Sequence, residues 1–113
     1  MQAKRLKSEA ARSAPVFAAL GDERRLRLVA RLCREGPVSI TRLASGSEVS
    51  RQAISKHLHV LARAGLVRGL RQGRERLYEL DTKQLQQARQ YLKIISRQWD
   101  EALDRLKLLV EGE

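Results

Sequence analysis

The sequence contains few of the residues from which many kinds of functional site are built. Its 113 residues include one cysteine, two histidines and four aromatic residues. The single cysteine, Cys33, excludes an intrachain disulfide and is typical of a reducing compartment, so we expect a cytoplasmic protein. No apolar run approaches the roughly 20 residues that span a bilayer, and no hydrophobic signal segment follows the basic N-terminus. We therefore expect no membrane partner.

The scarcity of nucleophiles and paired acids also argues against an enzyme. Both histidines, His57 and His59, fall on one predicted helix, and no pair of carboxylates lies in a recognisable pocket motif. These residues offer no combination of nucleophile, base and charge-stabilising group. The sequence therefore predicts no catalytic residues and no cofactor.

Positive charge, by contrast, is abundant and unevenly distributed. The formal net charge is +10, which favours an acidic partner such as nucleic acid. Residues 1–80 carry 17 basic and 7 acidic side chains, whereas residues 81–113 carry 6 of each. The excess therefore belongs to the first 80 residues and not to a cationic tail.

Residues 39–65 are predicted to form a helix-turn-helix. A short helix over residues 40–45, capped by Ser39, is followed by a turn at Gly46 and then by a second helix. Ser50 can cap the second helix with its hydroxyl, and Gly65 can end it in the left-handed conformation. A helix-turn-helix of this kind presents its second helix to the major groove of DNA.

The second of these helices has one apolar and one polar face. Ile54, Leu58 and Leu61 recur at helical spacing and form the inward stripe. The opposite face has no carboxylate and is rich in side chains that pair with base edges. A solvated surface helix shows the same division, but the turn before it and the basic hairpin after it favour DNA. The predicted contact residues are Ser50, Arg51, Gln52, Ser55, Lys56 and His59.

Residues 66–80 are predicted to form a basic wing. Strands over residues 66–70 and 76–80 are joined by a tight turn at Gln72-Gly73, and Val38 is a candidate one-residue strand. Four arginines crowd this hairpin against two glutamates, which favours contact with phosphates. The predicted phosphate contacts are Arg68, Arg71, Arg74 and Arg76.

Two helices are predicted before the helix-turn-helix. The first ends at Leu20, with residues 1–8 frayed or loosely helical and Pro15 causing a kink or a later start. Asp22 caps the second helix. The predicted inward stripe of that helix is Leu26, Val29, Ala30 and Cys33. On that face Cys33 is expected to be a small buried hydrophobe and not a reactive thiol.

Residues 81–111 are predicted to form one long helix, capped by Asp81, that joins two copies of the chain. Apolar residues recur seven apart in two series offset by three, the a/d pattern of helices that pack against each other. A helix of this length spans roughly 40 Å, more than a small domain can cover. The alternative is a helix that packs back onto its own domain. The predicted interface is Phe17, Leu85, Ala88, Leu92, Ile95, Trp99, Ala102, Leu106 and Leu109.

The assembled segments resemble the ArsR family of bacterial winged-helix transcriptional repressors. The resemblance rests on FAALGDERRLRLVARL, SRQAISKHLHVLARAGLV, RQGRERLYEL and the long last helix, and it covers about residues 16–110. The length of 113 residues predicts a single domain over residues 1–113. The resemblance implies a mainly α fold with four helices, a small β-hairpin and a fifth helix. It also implies a homodimer through the first and last helices, helix 51–64 in the major groove, and repression by occupying a promoter, often the protein's own.

The sequence departs from the metal-sensing members of this family. Their ligands are a cysteine pair near the third helix, or aspartate and histidine residues on the last helix. Residues 40–45 and 81–113 contain neither cysteine nor histidine, and carboxylates alone hold zinc-like metals poorly. We therefore predict no metal site and a place in a non-metal-sensing subgroup, and the residues indicate no particular inducer.

Two other functions fit the same features. A nonspecific architectural protein binds the DNA backbone alone, but Gln52 and Ser55 favour base contacts, since a purely backbone-directed face carries more Lys or Arg. A winged-helix protein-interaction module turns the basic face to an acidic protein. A gel shift with DNA from upstream of the protein's own gene separates these alternatives from a sequence-specific repressor associated with the nucleoid.

Overall fold

The structure is a computed structural model that describes residues 2–112. It is mainly α with a small antiparallel sheet, which confirms the predicted winged helix-turn-helix. The elements in chain order are α1 (Gln2–Leu20), α2 (Glu23–Glu35), β1 (Val38–Ser39), α3 (Ile40–Ala44), α4 (Arg51–Arg63), β2 (Val67–Gln72), β3 (Glu75–Leu80) and α5 (Thr82–Glu111). None of the described helices is long and apolar enough to cross a bilayer.

Side-chain caps determine where four of the helices begin. The carboxylate of Asp22 accepts hydrogen bonds from amides two and three residues on, at 2.9 and 3.2 Å. Ser39 and Ser50 cap α3 and α4 through amides three residues on, at 3.1 and 3.2 Å, and Asp81 caps α5 at 3.2 Å. Each cap satisfies an amide without an intrahelical partner and stabilises its helix by about 1 kcal/mol. All four caps confirm the sequence prediction.

The sheet has three strands, in the order β1-β3-β2, where the predicted fold had a two-stranded hairpin. Val38 pairs with Tyr78, so the candidate one-residue strand is a two-residue edge strand. The hairpin turn consists of Gly73 and Arg74, one residue later than predicted. Gly73 has a φ of 64°, and among residues 2–112 positive φ values occur at glycines alone. A two-residue loop with positive φ at its first residue alone is the type II′ turn that suits twisted strands.

The core is built around the second helix of the helix-turn-helix. Leu58 and Leu61 of α4 and Leu66 at the start of the wing are completely buried, at 0% exposed. Each neighbouring element adds a residue that is at most 4% exposed, namely Val16 and Ala19 of α1, Leu32 of α2, Val38 of β1, Leu43 of α3 and Ala88 of α5. Because the core holds α4 from its apolar side, the polar side of that helix is left outward.

Of the predicted inward stripe of α2, Val29 packs on the core, but the other three residues face outward. Leu28, Val29 and Leu32 pack on the core, whereas Leu26 is 50% exposed. Ala30 is exposed too. Two apolar stripes run along α2, and both have helical spacing, so periodicity alone does not choose between them.

Cys33 belongs to the outward stripe and is exposed. The prediction of a buried hydrophobe at this position is wrong. The error follows from the choice of stripe on α2, because Cys33 lies seven residues after Leu26 and shares its face.

Helix α1 is longer than predicted. It runs without interruption from Gln2 to Leu20 with Pro15 inside it, so residues 2–8 belong to the helix and Met1 lies outside the described residues. Ser13, Val16 and Ala19 lie on one face and are at most 4% exposed. This face packs beside α5. The packing compensates for the backbone hydrogen bond that Pro15 removes from the helix.

Helix α5 divides into a packed part and an exposed part. Ala88 is 4% exposed and Leu85 is half-buried against the same core. Ala88 is thus covered mainly by its own chain, and its place in a subunit interface stays a prediction. Leu92 and Trp99, further along α5, are 52% and 65% exposed. The first turns of α5 therefore pack onto their own domain, as in the alternative considered above. The rest of this helix, which is about 45 Å long, extends away from that domain.

Candidate nucleic-acid interface

Helix α4 presents most of the predicted base-contacting residues to solvent. Arg51, Gln52, Lys56 and His59 are exposed, whereas Ser55 is half-buried on the flank of the helix. The opposite side of α4 consists of buried leucine and isoleucine. The structure therefore brings four of the five candidates that lie within the helix onto one accessible surface.

Ser50 holds a structural position at the start of α4. Its hydroxyl oxygen accepts a hydrogen bond from the amide of Ala53 at 3.2 Å. The remaining first-turn amides of the helix lie close by, and they give this end of α4 a partial positive charge. Ser50 thus orders the N-terminal end of α4, the helix predicted to enter the major groove of DNA.

The exposed face of α4 carries positive charge that is not used within the chain. Among residues 2–112, neither Arg51 nor Lys56 forms an ion pair with a carboxylate. A guanidinium and an ammonium held in this way remain available to an external anion. The face can therefore bind the phosphates that flank a major groove while Gln52 meets the base edges.

The four wing arginines fall into two groups. Arg68 donates from Nε to Glu79 at 2.7 Å across the hairpin, and this hydrogen bond raises the pKa of Arg68. The guanidinium of Arg76 lies 5.5 Å from the centre of the Tyr78 ring, a cation–π contact. Arg71 and Arg74 are exposed near the tip. The sequence prediction treated all four alike, but Arg68 is already occupied by a carboxylate.

A groove beside α4 was not predicted from the sequence. It has a volume of about 890 Å³ and lies between α2, the turn after α3 and the first turns of α4. Arg24, Arg27 and Arg31 of α2 line one wall. The signal in the sequence was the density of arginine on α2.

Two side-chain links also escaped the sequence analysis. Arg25 of α2 donates to the carbonyl of Ala19 at 2.6 Å and lies 3.5 Å from Nδ1 of His57. Arg42 of α3 pairs with Glu35 at 3.0 Å, and a hydrogen bond from Arg31 lowers the pKa of Glu35. No local pattern reveals the contacts of Arg25 and Arg42, because their partners lie on other elements, whereas Arg31 and Glu35 are four residues apart on α2.

A candidate metal centre is not formed by the described residues. Within residues 2–112, no three side chains of His, Cys, Asp or Glu cluster in a way that could hold a metal ion. His57 lies beside a guanidinium, and His59 is exposed on the outer face of α4.

Comparison with known proteins gives concordant results. A helix-turn-helix domain family matches residues 20–69. The HTH-type transcriptional regulator Rv2034 of Mycobacterium tuberculosis is 39% identical over 95 residues, which are 84% of this chain and 85% of that protein. Both matches include the segment from α2 through the start of the wing.

Solved structures agree with the fold. An ArsR-like transcriptional regulator from Rhodococcus sp. RHA1 superimposes with a TM-score of 0.74 at 39% identity, covering 88% of this chain and 92% of that chain. The transcriptional regulator HlyU from Vibrio vulnificus CMCP6 gives 0.66 at 25% identity, covering 85% and 97%.

Proposed function

Because the chain belongs to the ArsR family of helix-turn-helix transcriptional regulators, we propose that it represses transcription as a homodimer on a pseudo-palindromic DNA operator. The observation that carries the proposal is the exposed face of α4, where Gln52 lies between Arg51 and Lys56 and the described chain supplies no carboxylate partner. In this arrangement residues 39–65 read the major groove and residues 66–80 contact the adjacent backbone.

The exposed part of α5 supports the dimer. Apolar residues that are more than half exposed follow one another along its last four turns: Trp99, Leu103, Leu106, Leu108, Leu109 and Val110. In a monomer this apolar surface is exposed to water, which is unfavourable, whereas packing against a second copy removes it from solvent. Residues 81–111 thus serve as the dimerisation helix, together with Phe17 of α1.

A two-fold dimer explains how a small domain reaches a useful affinity. One α4 covers only a few base pairs, while two copies about 34 Å apart contact successive major grooves on the same side of DNA. The dimer then requires two half-sites of inverted sequence. Occupation of a promoter by the dimer excludes RNA polymerase, and the protein's own promoter is the first place to look.

Control by a metal ion is not part of the proposal. The positions near α3 and on α5 that would supply ligands carry neither cysteine nor histidine. Control by protein concentration or by another kind of small molecule remains compatible with every residue of the interface. The expected location is the cytoplasm, at the nucleoid.

The deciding experiment is a gel shift with DNA from upstream of the protein's own gene, in the presence of excess nonspecific duplex. Sedimentation on the same sample gives the number of chains per complex. If nonspecific competitor DNA abolishes the shift as readily as unlabelled operator DNA does, the binding is not sequence-specific. That result contradicts a sequence-specific repressor and favours the architectural alternative.

A further inference from the structure

Arg25 lies where three helices meet. It is half-buried on the inward side of α2, and its guanidinium reaches two other elements. Nε donates to the carbonyl oxygen of Ala19, in the last turn of α1, at 2.6 Å. Nη1 lies 3.5 Å from Nδ1 of His57 on α4. One side chain thus joins the end of α1 to the flank of the helix proposed to read DNA.

The two contacts have different chemical requirements. Carbonyls in the last turn of a helix lack an intrahelical donor, so the Arg25 contact with Ala19 completes the end of α1. A guanidinium only donates, so Nδ1 of His57 must act as the acceptor and the ring proton must sit on Nε2. At 3.5 Å the pair is at the long limit of a hydrogen bond, and a shift of a few tenths of an ångström completes the bond.

Asp22 balances the charge at this junction. Its carboxylate is held by the amides of α2, and the hydrogen bond from the backbone of Arg25 lowers the pKa of Asp22. The charge of Arg25 lowers the pKa of Asp22 further. The carboxylate therefore stays ionised, and its negative charge favours a guanidinium at this junction.

His57 occupies the flank of α4 between its buried and exposed faces. Leu58 and Leu61 hold the apolar side of the helix in the core, but apolar contacts are not directional and tolerate small rotations about the helix axis. A polar contact on the flank restricts that rotation. Base readout requires this precision, because a hydrogen bond is lost beyond about 3.5 Å, whereas long basic side chains can adjust to a phosphate.

We propose that Arg25 is a positioning residue, an inference that rests on the proposed function. Through His57, it holds α4 in the rotation about the helix axis at which Gln52 reaches the base edges. Its contribution is to sequence selectivity and not to the overall strength of DNA attachment. Because the same guanidinium also binds the end of α1, a helix of the proposed dimer, it ties the reading helix directly to the dimerisation region.

The test begins with the DNA sequence that the wild-type full-length protein selects from a random pool. Selectivity is the ratio of the dissociation constant for a scrambled duplex to that for the selected site. Three variants are compared: Arg25→Lys, His57→Gln and His57→Asn. The amide oxygen of asparagine falls near the place of Nδ1, and that of glutamine near the place of Nε2, so only asparagine preserves the acceptor.

We expect Arg25→Lys and His57→Gln each to reduce selectivity about tenfold while the scrambled duplex binds within twofold of wild type. The variant His57→Asn retains selectivity. The double variant Arg25→Lys/His57→Gln loses no more than either single variant, because both remove the same contact. Arg34→Lys is the control, since Arg34 is an exposed arginine of the same helix that lies outside the groove beside α4.

The outcomes separate this inference from the proposed function. A wild-type protein that selects no sequence overturns both, whereas a selective wild type with equally selective variants overturns only the role of Arg25. Equal losses in His57→Asn and His57→Gln also contradict it, because the acceptor position then has no effect. If thermal melting shows that Arg25→Lys is unfolded, the pair of His57 variants decides alone, since both leave the Arg25–Ala19 bond intact.

Discussion

Arg71 of β2 lies directly opposite Arg76 of β3 in the wing. Like charges at opposed positions of an antiparallel pair destabilise it, and Arg76 relieves part of the repulsion by stacking on Tyr78. A phosphate placed between the two guanidinium groups converts their repulsion into attraction. The wing is thus better suited to an anion-bound state than to a free one, and in our proposal the anion is the DNA backbone.

The wing predicts a difference between two arginine variants. Arg74→Ala removes an exposed charge at the hairpin tip, so binding to all DNA sequences weakens and the slope of log affinity against log salt falls by about 0.9. Arg68→Ala leaves that slope unchanged, because Arg68 already binds Glu79 at 2.7 Å. Affinity measured over a series of salt concentrations checks both. Equal slopes for wild type and Arg74→Ala contradict a phosphate contact at the tip.

The wing also shows how far sequence reasoning reaches. Alternation and the glycine predicted a hairpin, but the turn was placed one residue too early. That slip would put Arg68 opposite Leu77, whereas in the structure Arg68 faces Glu79. Moving a two-residue turn by one position shifts every cross-strand partner by two residues, because the turn sets the register. The neutralisation of Arg68 was therefore hidden from the sequence, although its position in the wing was not.

Base readout by α4 is tested with Gln52→Ala. If the exposed amide meets a base edge, its loss relaxes preference at one operator position in each half-site and costs about 1–3 kcal/mol. Selection from a random DNA pool gives the preference, and titration gives the affinity. Lys56→Ala is the matched comparison, because a phosphate contact weakens all sequences alike. Identical sequence preference for Gln52→Ala and wild type excludes base contact by Gln52.

Helix α2 marks the limit of periodicity as a signal. Its cap, Asp22, was predictable because the cap and the amides it binds lie within four residues of one another. Its inward face was not, because Leu26 and Leu28 begin two stripes of similar spacing, and packing of Leu32 against distant elements selects one. Local hydrogen bonds are thus readable from sequence, while the choice between equivalent faces depends on the rest of the fold.

The exposure of Cys33 bears on control by metals and thiophilic reagents. Zinc, cadmium, cobalt and arsenite are expected to leave operator affinity unchanged, since residues 2–112 offer no cluster of three ligands. Cys33→Ser is also expected to bind within a few fold of wild type, because an exposed side chain contributes little to packing. Titration with and without each metal checks this. Stoichiometric nanomolar zinc binding that released the DNA would show that a site had been missed.

Asp22 predicts a dependence of stability on pH. Its carboxylate has a pKa below the ordinary value of 3.8, chiefly because of the hydrogen bond from the Arg25 amide. A lowered pKa in the folded state adds stability that is present above the unfolded value and is lost as pH falls through the folded value. The loss is therefore expected below about pH 4.

Asp22→Asn isolates this effect, since asparagine keeps the capping oxygen and removes the charge. Between pH 6 and pH 3, the melting temperature of the variant is expected to fall less than that of the wild type. Asp104→Asn, on the exposed part of α5, is the control and should retain the wild-type dependence. Thermal unfolding across this pH range measures all three proteins, and an Asp22→Asn profile parallel to wild type contradicts the assignment.

The dimer is tested at Leu92, the first strongly exposed position of the seam. Leu92 is 52% exposed, so its own domain does not depend on it and Leu92→Glu should fold. In a two-fold dimer the substitution brings two carboxylates together in an apolar interface, and burying unpaired charge costs several kcal/mol. Gln86→Glu adds the same charge at an exposed position of α5 outside the heptad seam and serves as the control.

We expect Leu92→Glu to be a folded monomer that no longer binds the operator, although every residue of the α4 face and the wing is unchanged. The reason is geometric, because a single α4 cannot span two half-sites. Sedimentation, circular dichroism and a gel shift on one sample give the mass, the fold and the binding together, and Gln86→Glu should match wild type in all three. A folded Leu92→Glu monomer that bound the full operator as tightly as wild type would refute the dimer mechanism, because DNA affinity would then not depend on the joining of two copies through α5.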